Sequence, residues 1–408
     1  MPRRQMAQSL PDGEPAPADG SLPADALSAF GARPFGVYVH VPFCASRCGY
    51  CDFNTYTASE LGGGGAQSQY ADVAAQEIDL ARDVLDAADV RVETVFFGGG
   101  TPTLLPASEL VGLVRRIDES FGLASDAEVT TEANPESVDR RSLAELREGG
   151  FTRISFGMQS AATHVLQLLD RQHTPGRVSE AVAAAHDVGF EHVNVDLIYG
   201  TPGETDEDWQ ASLDAAVATG ADHVSAYALI VEDGTRLASR IRRGELPMPD
   251  DDVAADRYLM AEETLSSNGF QWYEVSNWAR SPQARSRHNL LYWTDADWWG
   301  IGPGAHSHVR GVRWWNVKHP TAYAGRLQSG SSPAHAREIL DPDTRRVEQV
   351  MLRTRLRDGL PLELLDADGR AAVSRLESDG LLEPLDDRLV LTLRGRLLAD
   401  AVVRELLR

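Results

Sequence analysis

Three thiols set the chemistry open to this chain. Cys44, Cys48 and Cys51 are its only cysteines, and all fall in the run Cys44-Ala-Ser-Arg-Cys48-Gly-Tyr-Cys51. A loop this short can bring three thiolates to one metal centre. Three cysteines cannot all pair as disulfides, and three sulfurs suit a four-iron cluster whose fourth iron has no protein ligand. Structural zinc takes four protein ligands. His40 is the nearest candidate fourth ligand, but it stands in a predicted strand rather than in the loop. A [4Fe-4S] cluster is therefore the expected occupant, with zinc and free thiols as alternatives.

Further candidates lie where predicted strands stop. Val92 to Phe97 reads as a buried strand running into Gly98-Gly-Gly-Thr-Pro-Thr103. Such bare backbone can be approached closely by a ligand, or can simply turn. Glu132 ends another strand. Its carboxylate is placed to accept from a ribose hydroxyl pair, or to favour the start of the helix that follows. Gly157-Met-Gln159, Asp196 and Ala228 end three more strands. The segment His288-Asn-Leu-Leu-Tyr-Trp293 offers a neutral imidazole, a good axial ligand for haem iron. A local helix would set Tyr292 beneath His288. The competing reading has His288 and Asn289 satisfying buried backbone groups. His306 and His308 are alternative haem ligands in a Gly-rich loop.

The elements that must position these groups alternate. Strands are predicted at 35–41, 92–97, 127–132, 153–157, 192–197 and 223–228, most of them separated by helices. In the first helix Tyr70, Ala74, Ile78, Ala81 and Leu85 share a face. Another helix is expected to start at Thr174-Pro175, with an N-cap followed by proline. Strand–helix alternation implies a parallel sheet, and six units predict an open or partial (β/α)6 barrel. Ligands of such folds sit at the C-terminal ends of the strands, where the candidates gather. Residues 1–34, rich in Pro, Gly, Ala and Asp, are expected to be a disordered tail. The barrel spans 35–230, and 231–340 forms an extension of strands and loops over its mouth. Residues 341–408 read as helices plus a hairpin, a small winged-helix-like α+β domain.

Composition narrows the partners. The net charge of −22, from 39 basic and 61 acidic side chains, argues against general binding to nucleic acid or an anionic membrane surface. Residues 341–408 carry 12 Arg against 14 Asp plus Glu, where a DNA reader should be basic. A structural or lid role is expected there, with partner recruitment as a further reading. Lys318 is the only lysine. No apolar run is long enough to span a membrane, and the N-terminus lacks the apolar segment of a signal peptide. The cytoplasm, where thiols stay reduced, is the expected compartment.

The cysteine loop, with Tyr38-Val-His-Val-Pro-Phe43 before it and Asp52-Phe53 after it, resembles the radical S-adenosylmethionine (SAM) superfamily. Within it the chain looks like the oxygen-independent coproporphyrinogen oxidase-like group. Gly98 to Thr103, Glu132-Ala-Asn-Pro135, Arg153 to Gln159 and Asp196 to Gly203 match in order, and the likeness spans roughly residues 36 to 405. True oxidases of the group carry a fourth cysteine where Phe53 stands, and His288 to Trp293 is similar to the signature of the HemW-type radical SAM haem chaperones.

The resemblance implies that Cys44, Cys48 and Cys51 bind a [4Fe-4S] cluster whose remaining iron chelates SAM for reductive cleavage. It assigns Tyr38, Tyr50, Gly99, Gly100, Thr101, Glu132, Gln159, Arg171, Asp196 and Ala228 to SAM. Arg171 is suited to the SAM carboxylate. His288, Asn289, Tyr292 and Trp293 become candidates for haem. The function implied is that of a chaperone that binds haem or porphyrin and delivers haem to apo-haem proteins. An electron donor would serve the cluster, and peripheral contact with membrane haem proteins is compatible with a cytoplasmic location. The alternative is an oxidoreductase that decarboxylates coproporphyrinogen III to protoporphyrinogen IX.

Overall fold

The computed structural model describes residues 13–62, 65–86, 90–171, 174 and 176–408. Its strands are, in chain order, β1 (Glu14–Pro15), β2 (Phe35–Val41), β3 (Val92–Gly99), β4 (Leu123–Ala133), β5 (Arg153–Gln159), β6 (His192–Tyr199) and β7 (His223–Ala228). Then follow β8 (Gln271–Glu274), β9 (Asn277–Ala279), β10 (Asp297–Ile301), β11 (His306–Val309), β12 (Val312–Asn316) and β13 (Ala334–Ile339). A separate small sheet holds β14 (Leu360–Pro361), β15 (Leu382–Leu385) and β16 (Arg388–Leu391).

The six strands β2 to β7 pair in parallel and in sequence order. This is the arrangement that right-handed strand–helix–strand crossovers produce. Each crossover helix turns an apolar stripe to the sheet. Tyr70, Ala74, Ile78, Ala81 and Leu85 are all buried in the helix Tyr70–Leu85, and Trp209, Leu213 and Ala216 in Asp206–Ala218. Capping boxes start two of these helices, Asp139 with Ser142 and Thr205 with Asp208. The inward faces of β2 to β7 carry polar side chains, whereas the outward faces carry the core, including Val37, Val39, Val95, Phe97, Ile154, Val195 and Val224.

Three expectations about the tail, the extension and one crossover helix need correction. Residues 13–34 are ordered, while 1–12 lie outside the described residues. Here Glu14–Pro15 pairs with β13 at the sheet edge, Glu14 bridges Arg337 at 2.7 Å, and Ala24–Ala29 forms a helical turn. An edge is where proline, which lacks an amide donor, can join a sheet. The extension does not roof the mouth. It lengthens the sheet on both sides, with β9 and β8 added antiparallel to β7, and β10 added parallel to β2 before β11, β12 and β13. The helix expected at Thr174-Pro175 begins at Arg177 instead, behind Gly176 at φ 82°, a left-handed conformation that glycine adopts without strain. Pro175 itself lies outside the described residues.

The C-terminal unit has its own core, with Val350, Leu360, Leu376, Leu391, Val402 and Leu406 among its buried residues. Its docking corrects the lid expectation. Arg353 donates to Thr294 O at 3.0 Å, Arg345 to Asp295 at 2.8 Å, and Arg285 reaches Asp358 at 3.1 Å. Residues 285–295 lie at the N-terminal ends of the barrel strands, so this unit braces the floor of the barrel and not its mouth. Arg396 also stacks over Trp272, 4.4 Å from the ring centroid, and pairs with Glu262.

Candidate functional site

The cysteine loop leaves β2 at the C-terminal end of the barrel. Cys44 N donates to Tyr56 O at 3.0 Å, Gly49 N to Leu169 O at 3.0 Å, and Leu237 N to Gly49 O at 2.8 Å. The loop is thus stitched both to its own exit and to the far side of the mouth. Tyr50 anchors it in an apolar cluster with Val165, Leu169, Ile198, Leu229 and Leu237. All three cysteines are half-buried and unpaired. Burial, and after it the neighbouring Cys51 and Cys48, push the Cys44 thiol up to about 11, and burial raises Cys51 as well. Cys44 feels both Cys51 and Cys48 electrostatically, so the three thiols of the loop are neighbours in space as well as in sequence. His40 is no fourth ligand, since its Nδ1 meets Tyr38 Oη at 2.9 Å and its Nε2 meets Asn54 O at 3.0 Å.

The triple glycine fits under this loop. Gly100 N donates to Val41 O at 2.8 Å and Thr101 N to Phe43 O at 2.7 Å. A Cβ on Gly100 would lie 2.9 Å from Phe43 C and closer still to its oxygen. Gly99, at φ 107°, would drive a side chain into the His40 ring. Here the glycines are required by close approach as well as by conformation.

Arg171 points to the same place. It donates to Gly157 O at 2.9 Å, lies 3.8 Å from Cys48 Sγ, and keeps a buried Nε with no partner. An orphaned guanidinium nitrogen beside the thiols is a fit for an anionic ligand group. Gln159, at φ 67°, bends out of β5 next to it. Glu132 lies deeper, accepting from Gly99 N at 3.1 Å. Burial and then the nearby Asp196 raise its carboxyl to about 8. Asp196, also raised by burial, accepts from Ser155 at 2.7 Å and Asn194 at 2.7 Å. Ala228 is exposed at the end of β7. The ten residues assigned to SAM by resemblance therefore line the mouth and upper interior of one barrel.

The proposed haem motif is elsewhere. Arg287–Trp293 is a helix that closes the barrel floor. Buried Arg153, at the start of β5, pairs with Glu128 at 3.0 Å and donates to Ala284 O at 2.7 Å. Glu128 also accepts from His288 N at 3.0 Å. The His288 ring stacks on Phe96 at 5.3 Å. Both of its nitrogens are engaged, Nδ1 with Thr94 at 2.7 Å and Nε2 with Tyr292 Oη at 2.9 Å. Burial depresses its pKa to about 3. Tyr292 does lie beneath His288, and Asn289 donates to Glu274 at 3.1 Å. Trp293 keeps a buried, unpartnered indole N–H. The cavity between this floor and Glu132 is about 140 Å³, below the roughly 300–1,000 Å³ of sites that enclose a drug-sized ligand. His288 as found is a floor residue with no free nitrogen to offer iron. His308 is likewise occupied, by Ala296 O and Gly311 N.

Barrel order and thiol spacing together define a radical SAM protein. A model described as the Radical SAM superfamily matches residues 38–216, and the HemN C-terminal domain matches 340–398. The coproporphyrinogen III oxidase HemN of Escherichia coli superposes with a TM-score of 0.79, covering 94% of this chain and 92% of that one at 24% identity, which speaks to the fold. The heme chaperone HemW of Mycobacterium tuberculosis (strain H37Rv) is 55% identical over 381 residues, 93% of this chain and 97% of that protein. The heme chaperone HemW of Bacillus subtilis (strain 168) is 30% identical over 90% of this chain and 97% of its own length. The chain belongs to the HemW family of radical SAM proteins.

Proposed function

We propose that this chain binds haem and delivers it to apo-haem proteins. In this reading Cys44, Cys48 and Cys51 hold a [4Fe-4S] cluster, and Gly99, Gly100, Thr101, Glu132, Gln159, Arg171 and Asp196 hold SAM beside it. The observation that carries the reading is 55% identity, over nearly the whole chain, with a protein named heme chaperone HemW. Phe53, in place of the oxidases' fourth cysteine and 61% exposed, supports it over porphyrinogen decarboxylation.

The reduced cluster, with SAM bound, supplies one-electron cleavage of the sulfonium. The protein's own part is to orient and exclude. Arg171 presents its free Nε to the carboxylate, the glycines let SAM reach the backbone, and the apolar cluster around Tyr50 fixes the loop that carries the thiols. Haemin titration into the purified protein, followed at the Soret band, tests the proposal. Saturable one-to-one binding, and transfer to an added apo-haem protein, are expected. Absence of saturable binding, or anaerobic conversion of coproporphyrinogen III by the reconstituted protein, would overturn it.

A further inference from the structure

We propose that His306, at the barrel mouth, is the axial ligand this chain offers to haem iron. The proposal rests on the haem-binding reading above and names its site.

Register places the residue. β10 runs parallel to β2, with Gly300 beside Tyr38, and β11 returns antiparallel with Trp298 opposite His308. His306 therefore stands two strands from Tyr38, on the same face, at the end of the sheet where the cysteine loop emerges. Asn54, three residues beyond Cys51, ties that loop to the spot. Its side-chain amide donates to Pro303 O at 2.9 Å and to Lys318 O at 2.8 Å.

Three exposed residues flank this tie along the chain, since Phe53 precedes Asn54, Lys318 supplies one of the carbonyls, and His306 follows two residues after Gly304, which packs on Asn54. Their chemistries match the three parts of haem. Phe53 is 61% exposed, an apolar surface for the macrocycle. Lys318, the only lysine, is exposed, and no described carboxylate pairs with its ammonium, leaving it free for a propionate. His306 is exposed at the start of β11 and supplies the imidazole. Its ring is held against Trp315 at 5.9 Å and 24°, so little rotamer freedom would be lost on ligation.

The contrast with the interior histidines supports the assignment. His40, His223, His288 and His308 each have both ring nitrogens hydrogen-bonded. No hydrogen bond joins either ring nitrogen of His306 to a described residue. Partial enclosure first, then the charges of Lys318 and Arg313, hold its pKa below the ordinary range, so the ring is neutral at pH 7, as a ligand must be. Haem held here would lie beside the thiol loop.

The test is haemin titration of wild type, His306→Ala, His306→Met and His288→Ala, with iron–sulfur content and circular dichroism measured on each. His306→Ala should weaken binding by about tenfold or more and shift the Soret band, with added imidazole restoring it. His306→Met should keep the fold and move the band to that of a thioether-ligated haem. His288→Ala should leave the band position unchanged. Wild-type affinity and band in His306→Ala, or an unmoved band in His306→Met, would overturn the assignment while leaving the chaperone reading intact. No saturable binding by wild type would remove both.

Discussion

Replacing Arg153 by Met should loosen the barrel floor at a cost of about 4 kcal/mol. The side chains of Arg153 and Glu128 are only 2% and 5% exposed, and their ion pair is 3.0 Å long. Removing one partner of such a pair strands the other charge, which costs roughly 3–5 kcal/mol. The Ala284 and Arg285 carbonyls, which accept from Arg153 at 2.7 and 3.1 Å, lose their donor as well. The double variant Glu128→Leu/Arg153→Met removes both charges and should recover part of the loss, since apolar replacement of a buried pair is often neutral. It will not recover all of it, because the two carbonyls and His288 N stay unpaired, at about 1–3 kcal/mol for each buried group left unsatisfied. Urea unfolding followed by circular dichroism gives the midpoints and slopes for the cycle. A destabilisation by Arg153→Met below about 1 kcal/mol would refute the claim that this pair holds the floor helix in place.

The interior carboxylate yields a pH prediction. Glu132 is raised from 4.5 to about 8, so its contribution is complete below pH 4.5 and is lost as pH rises through 8. Glu132→Gln in the apo protein should therefore gain stability relative to wild type between pH 5 and pH 9 by a few kcal/mol, at roughly 1.4 per pKa unit; a melting-temperature difference that is flat across this range contradicts the shift. Gly100→Ala should destabilise by about 1–3 kcal/mol and lower the iron and sulfide retained per chain after reconstitution, because the new methyl displaces Phe43 at the root of the thiol loop. Wild-type iron content in that variant would show the contact to be tolerated. Arg171→Met should leave iron content unchanged and weaken SAM binding about 10- to 100-fold, the worth of one charged hydrogen bond at roughly 1.5–3 kcal/mol. Calorimetry on anaerobic protein measures it, and unchanged affinity removes Arg171 from the SAM site.

Much of the barrel could be read in the residues. Strands β2, β3 and β6 carry several β-branched residues and are closed by Gly or Pro, and the helix stripes recur at 3.6-residue spacing, so local pattern and tertiary packing agree there. The thiol loop, the glycine turn and the strand-end polar groups were legible because one rule places all of them, namely that ligands meet parallel strands at their C-terminal ends. What local pattern hides is pairing at a distance. The register of β10 against β2, whose paired residues stand 262 positions apart in sequence, is written in no window of sequence, so residues 231–340 read as a roof when they are sheet edge. The same blindness hides where His288 sits. Its type and spacing suit iron, but its position depends on the Arg153–Glu128 pair, two charges that a single strand pattern cannot join. The ordered edge at Glu14–Pro15 was missed for a related reason, since a proline-rich segment acquires a partner only once β13 is in place.

The most direct measurement is electron paramagnetic resonance of the anaerobically reconstituted, reduced protein, with and without SAM. A reduced cluster signal is predicted whose line shape changes when SAM is added, and which disappears when Cys44, Cys48 and Cys51 are all replaced by Ala. A signal indifferent to SAM, or one that survives without the three thiols, would contradict the account.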